Sequence, residues 1–129
     1  MNQQIEQKVK KLLGEVLGIE DPLNEIRMDS DLIDDLAAES IDFIDIGFRL
    51  EKDFNLGKIS MSDIFTPYLR DESSHDENKK LKNEKLEELK KYAHIKDDLL
   101  DEIERTKNSR ALLKVKNLVY FVDWKLSNG

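Results

Sequence analysis

Cysteine is absent from this 129-residue chain, proline occurs twice and glycine five times. Without a thiol there can be no disulfide, thiolate metal site or cysteine nucleophile, and nothing argues for an oxidising compartment. So few breakers, with Lys, Glu, Asp and Leu dominant, exclude the many tight turns of an all-β fold and favour helices. We therefore read an all-α protein. No apolar run approaches the ~20 residues needed to span a bilayer. The polar segment Met1–Lys11 also lacks the apolar stretch of a signal peptide, so neither export nor membrane insertion is expected and the cytoplasm is the expected location. The length suits one domain over residues 1–129 with a modest core.

Positive charge is scarce where negative charge is dense. Residues 1–60 hold 14 acidic against 7 basic residues, whereas residues 61–129 hold 14 of each. Asp29–Asp53 alone contains nine acids and only two bases, Arg49 and Lys52. Such a patch repels nucleic acid and attracts basic protein surfaces.

Ile5, Val9, Leu12, Leu13, Val16 and Leu17 recur on one helical face, and Gly18 is placed to end that helix. Gly14 inside it costs roughly 1 kcal/mol relative to Ala, which points to close packing. Glu20–Ala38 has no sustained period and reads as a long loop pinned at intervals by Leu23, Ile26, Met28, Leu32, Ile33 and Leu36. A second helix is expected over Ser40–Phe54, with two apolar stripes. Phe43, Ile46, Leu50 and Phe54 form a core stripe, while Ile41, Ile44 and Phe48 lie on the far side, either buried against another element or left for a partner. A single-turn helix around Met61–Phe65 stops at Pro67, and Asp71–Lys80 reads as a flexible connection. Leu81 to Ile103 reads as one or two charged amphipathic helices broken near His94–Lys96. A last helix carries Val115, Leu118, Val119, Val122 and Leu126 on one face.

Ser40 opens the second helix, where serine most often serves as an N-cap. With Ser40 as cap, Phe43 falls at the third helical position, so no capping box is expected. A hydroxyl there is also reachable by a modifying enzyme.

Asp35-Leu36-Ala37-Ala38-Glu39-Ser40-Ile41-Asp42 resembles the Asp-Leu-Gly-Ala-Asp-Ser-Leu-Asp signature of acyl carrier proteins. Val9–Gly18 is similar to that family's first helix, Leu50–Phe54 to the end of its second, and Val115–Leu126 to its last. The resemblance covers residues 1–67 and 112–127 and implies a four-helix bundle with a long first loop, leaving about 71–111 as a helical insertion. It further implies 4'-phosphopantetheine attached covalently to Ser40, acyl groups held as thioesters on the arm, and a phosphopantetheinyl transferase as partner. Acyl-processing enzymes with basic patches would dock on the second helix, where Glu39, Asp42, Asp45 and Glu51 would surround Ile41, Ile44 and Phe48. The chain is expected to be a monomer and not an enzyme. Ala37 stands where the family has Gly and Glu39 where it has Asp, which alters the turn into the helix. Arg49 and Lys52 place positive charge where many members are acidic, which with the insertion points to a specialised pathway and dedicated partners.

Other readings fare less well. A serine hydrolase needs a base and a strained nucleophile turn, which Ala-Glu-Ser-Ile-Asp does not provide. His75 and His94, amid charged residues and without a close His pair or cysteine, read as surface residues, and no metal site is expected. A calcium loop beginning at Asp29 fails at Ile33, Asp34 and Ser40. An unmodified helical adaptor with the carrier fold and a peptidyl carrier remain as alternatives.

Overall fold

The computed structural model describes residues 3–60, 63–64, 92, 94–95, 97–106 and 109–128. Five α-helices carry these residues: α1 Gln3–Leu17, α2 Pro22–Glu25, α3 Ser40–Phe54, α4 Asp97–Thr106 and α5 Val115–Asn128, with a 3-10 turn at Ser109–Leu113 before α5. Among the described residues there is no strand, only an isolated antiparallel bridge between Asp31 and Lys114. The expected all-α architecture is observed. The sequence expectations for residues 65–91, including the flexible connection, the first part of the charged helices and His75, lie outside the described residues.

α1 buries Ile5, Val9, Leu12 and Leu13, the stripe read from its spacing, and ends where Gly18 takes φ 73. Gly14 is needed for contact: a Cβ built there would stand 2.7 Å from two carbons of the Pro22 ring. The Glu20–Ala38 segment is less uniform than a loop. Pro22 at the first helical position starts the one-turn α2, and Glu25 returns its carboxylate to the Asp21 amide at 2.9 Å. Ile26 and Leu32 are buried as pins, whereas Leu23 and Ile33 are exposed.

Two apolar clusters flank α5. The larger joins the stripes of α1 and α3 to Ile26, Leu32, Ile64, Leu113 and one side of α5. The smaller gathers Ile95, Leu99, Ile103, Ala111 and Leu112, with Tyr120 packed against it. α5 consequently buries every residue from Val115 through Val119, including Lys116 and Asn117. At 100° per residue, five consecutive positions point in every direction, so the start of this helix has no free face. Leu126, expected on the buried face, is exposed instead because the final turn runs past both clusters.

His94 departs furthest from expectation. It is only 2% exposed, edge-on to Phe121 at 5.1 Å between ring centres, and its Nε2–H donates to the Ile64 carbonyl at 3.0 Å. The same carbonyl accepts from Asn117 Nδ2, also at 3.0 Å. A neutral imidazole filling a largely aromatic slot explains how a histidine within a highly charged stretch of sequence can lie inside. Burial pushes its pKa down, more strongly than its contacts with Ile64, Asn117 and Asp63 push it up.

Candidate functional site at the start of helix α3

The chain enters α3 through a turn organised by acids. Asp31 Oδ1 accepts from the Ile33 and Asp34 amides at 2.8 Å each, and Asp35 Oδ2 accepts from the Asp31 amide at 2.7 Å. Side-chain acceptors of this kind replace the backbone partners that a short turn lacks. The turn closes with the Ala38 amide on the Leu32 carbonyl at 2.8 Å. Ala37 lies in the left-handed region at φ 59, where an L-residue carries a steric cost and glycine does not.

The cap of α3 differs by one residue from the sequence reading. Glu39, in extended conformation, is the N-cap, and Asp42 at the third helical position completes a capping box. Its Oδ2 accepts from the Glu39 amide at 2.8 Å, the better formed half, since the Asp42 amide also bonds the Glu39 carbonyl at 2.9 Å. A cap at Ser40 would put Phe43 at the far corner of the box; the cap at Glu39 puts Asp42 there. Ser40 is thus the first helical residue, exposed, and its hydroxyl has no task in capping. The amides of Ser40 and Ile41, in the first turn, have no intrahelical acceptor by position and point outward with the positive end of the helix dipole.

Along α3 the two stripes separate as their spacing requires. Phe43, Ile46, Leu50 and Phe54 are buried, while Ile41, Ile44 and Phe48 are 64%, 56% and 65% exposed. Of the surrounding acids, Glu39 and Asp45 are exposed. Asp42 is committed to the cap, and Glu51 Oε2 accepts from the Ile59 amide at 2.8 Å, fastening the chain after α3. Arg49 reaches Glu15 and Asp53 at 3.3 Å each, so its charge ties α3 to α1.

A basic set that sequence reading did not single out faces the loop before Ser40. Arg110 reaches Asp34 at 3.0 Å and Asp31 at 3.3 Å. Lys116 reaches Asp98 of α4 at 3.0 Å and Asp29 at 3.1 Å, and Lys114 pairs with Glu102 of α4 at 2.9 Å. Burial alone lowers the pKa of Lys116, but Asp98 and Asp29 outweigh it and leave the ammonium above its ordinary value. Burial likewise raises Asp98, but the Tyr120 hydroxyl and Lys116 hold it below the usual carboxylate range. These partners are far apart in sequence, so no local spacing reveals them.

No group of three or more His, Cys, Asp or Glu side chains able to hold a metal occurs among the described residues. No helix of these residues is long and apolar enough to cross a membrane. A phosphodiester at Ser40 meets a favourable local geometry: an exposed oxygen, no competing cap bond, and helix-start amides beside it.

Residues 7–68 match a family model described as "Phosphopantetheine attachment site". An acyl carrier protein of Clostridium acetobutylicum is 40% identical over 50 residues, which is 39% of this chain and 62% of that protein. No solved structure matches. The matched stretch contains α1, α2, the acidic turn and the whole of α3. On these grounds residues 7–68 form a phosphopantetheine-attachment region similar to that of an acyl carrier protein, and the prosthetic group such a region takes is a covalently attached 4'-phosphopantetheine.

Proposed function

We propose that this protein carries acyl intermediates on an arm attached to Ser40 and delivers them to partner enzymes. The observation that carries this reading is an exposed serine hydroxyl at the first position of α3, relieved of capping by Glu39 and Asp42, inside the matched residues. The chemistry supplied by such an arm is a thiol on which acyl groups are held as thioesters, so a chain without cysteine can carry them. Ser40 contributes the ester oxygen. The Ser40 and Ile41 amides, with the helix dipole, favour the phosphate by about 0.3–1 kcal/mol, partly offset by Glu39 and Asp42.

The docking face of this reading centres on Ile41, Ile44 and Phe48. An exposed apolar centre rimmed by acids fits the anatomy of a protein interface, and basic patches on acyl-processing enzymes would complement it. Asp45 is the rim acid free to face a partner, while Glu39, Asp42 and Glu51 act there with part of their capacity already engaged. The protein is a monomeric cytoplasmic carrier in a specialised lipid, fatty-acid or polyketide pathway, with residues 1–129 forming one domain and 71–111 an insertion in it. Substrate turnover belongs to its partners, the first of which is a phosphopantetheinyl transferase.

Co-expression with such a transferase followed by intact-mass measurement tests the proposal. A mass gain of one arm on the wild type, lost in Ser40→Ala, is expected. Absence of any gain with several transferases overturns it in favour of an unmodified adaptor.

A further inference from the structure

The loop that delivers the chain to Ser40 is not held by its own contacts alone. The segment that follows the proposed insertion straps it from outside. Three backbone bonds lace the two together: Leu32 N–H to the Leu113 carbonyl, Val115 N–H to the Ser30 carbonyl, and Lys116 N–H to the Met28 carbonyl, at 3.0, 3.0 and 2.9 Å. Arg110, at the end of the proposed insertion itself, closes the strap by pairing with Asp31 and Asp34. Asp31 is the same carboxylate whose Oδ1 caps the Ile33 and Asp34 amides, and the turn it builds ends in the left-handed Ala37, two residues before the N-cap Glu39.

We infer that Arg110 is a positioning residue for Ser40. By fixing Asp31 and Asp34, it holds the acidic turn in the conformation from which Ala37 can turn the chain into α3 with Ser40 outward. Four acids stand close in sequence there, Asp29, Asp31, Asp34 and Asp35, and their mutual repulsion opposes the tight turn unless a cation is shared among them. Arg110 supplies that charge through Nη2, which reaches a carboxylate oxygen of both Asp31 and Asp34. Ala37 makes the demand greater, because its strained φ is kept only if the surroundings determine it. The strap thereby couples the end of the proposed insertion, and the residues that follow it, to the ease with which Ser40 is modified. This inference rests on the proposed role of Ser40.

The test is the rate of arm transfer from coenzyme A by a broad-specificity transferase, followed by intact mass. In that reaction the Ser40 Oγ–P bond forms, the pyrophosphate P–O bond of coenzyme A breaks, and adenosine bisphosphate and the serine proton depart. Arg110 is 46% exposed at its side chain, so Arg110→Ala should fold and melt like the wild type. Its kcat/KM for transfer should fall by about fivefold, the factor an exposed ion-pair network is worth. Arg110→Lys should recover part of the loss, and the exchanged pair Asp34→Arg with Arg110→Asp should recover more than Arg110→Asp alone. Equal rates for wild type and Arg110→Ala overturn the inference. So does a slow Arg110→Ala that the exchanged pair fails to rescue, because Arg110 would then be touching the transferase itself. A wild type that accepts no arm at all overturns instead the reading of Ser40, which keeps the two failures apart.

Discussion

Ala37 shows how one side chain sets a local cost. Its φ of 59 places a Cβ where the backbone prefers none, and the chain accepts this because Asp31, Asp35 and the Ala38–Leu32 bond determine the turn around it. Ala37→Gly should therefore raise stability by about 0.5–1 kcal/mol, the relieved strain exceeding the added freedom of the unfolded chain. A thermal or urea melt of the two proteins would check this, and a lowered midpoint would show that the strain is not borne at Ala37. The departure from the family signature was visible in the sequence. The sign of φ was not, because it depends on bonds between residues 31 and 38 that form only in the fold. Ser40 itself was legible as the start of a helix and, within its octapeptide, as the proposed handle, but its freedom from capping was not, since that required placing the cap at Glu39.

At the scale of elements, the pairing of α1 with α2 rests on a missing methyl. Helix propensity alone favours Gly14→Ala by about 1 kcal/mol. The Pro22 ring, 2.7 Å from the new Cβ and too rigid to yield, reverses the sign. Gly14→Ala should destabilise by about 1–2 kcal/mol net in denaturant melts, and Gly14→Ala with Pro22→Ala should recover much of it. Periodicity read α1, α3 and the last helix well because each has an apolar face repeating at the helical period. It passed over α2, whose four residues are shorter than any period and whose signal is the Asp-Pro-x-x-Glu pattern at Asp21–Glu25. It also read one face on α5 where there are two, since Lys116 and Asn117 do not look like interior residues until Asp98, Asp29 and the carbonyls of Ile64 and Leu112 are brought to them.

At the scale of the whole molecule, His94 links the stability of the fold to proton concentration. It lies where residues 94–95, Ile64 and α5 meet, and its folded pKa lies below the ordinary 6.5. A group depressed in this way binds protons more readily when unfolded, so its contribution is complete above about pH 6.5 and is lost as pH falls through the folded value. Melting temperature should decline on acidification from pH 7 to 5. His94→Gln, which keeps an amide N–H for the Ile64 carbonyl, should be less stable at pH 7 but flatter over this range. An equal slope in both proteins would place the titrating group elsewhere. This dependence was hidden in the sequence because His94 lies in a stretch rich in Lys, Glu and Asp, while the rings it packs against are those of Phe121, Tyr92 and Trp124.

The gap-free burial at the start of α5 limits what substitution can do there. A helix with one wet side can drift in sequence on that side, whereas here each of five successive positions answers to a neighbour. Lys116 is held by three carboxylates and Asn117 by two carbonyls, so even its polar residues are fixed in type. Replacing the segment with a helix apolar on one face only would leave Ile95, Leu99 and Ile103 against a polar surface. The start of α5 and the apolar side of α4 are therefore matched to each other, so a substitution on one calls for a compensating change on the other.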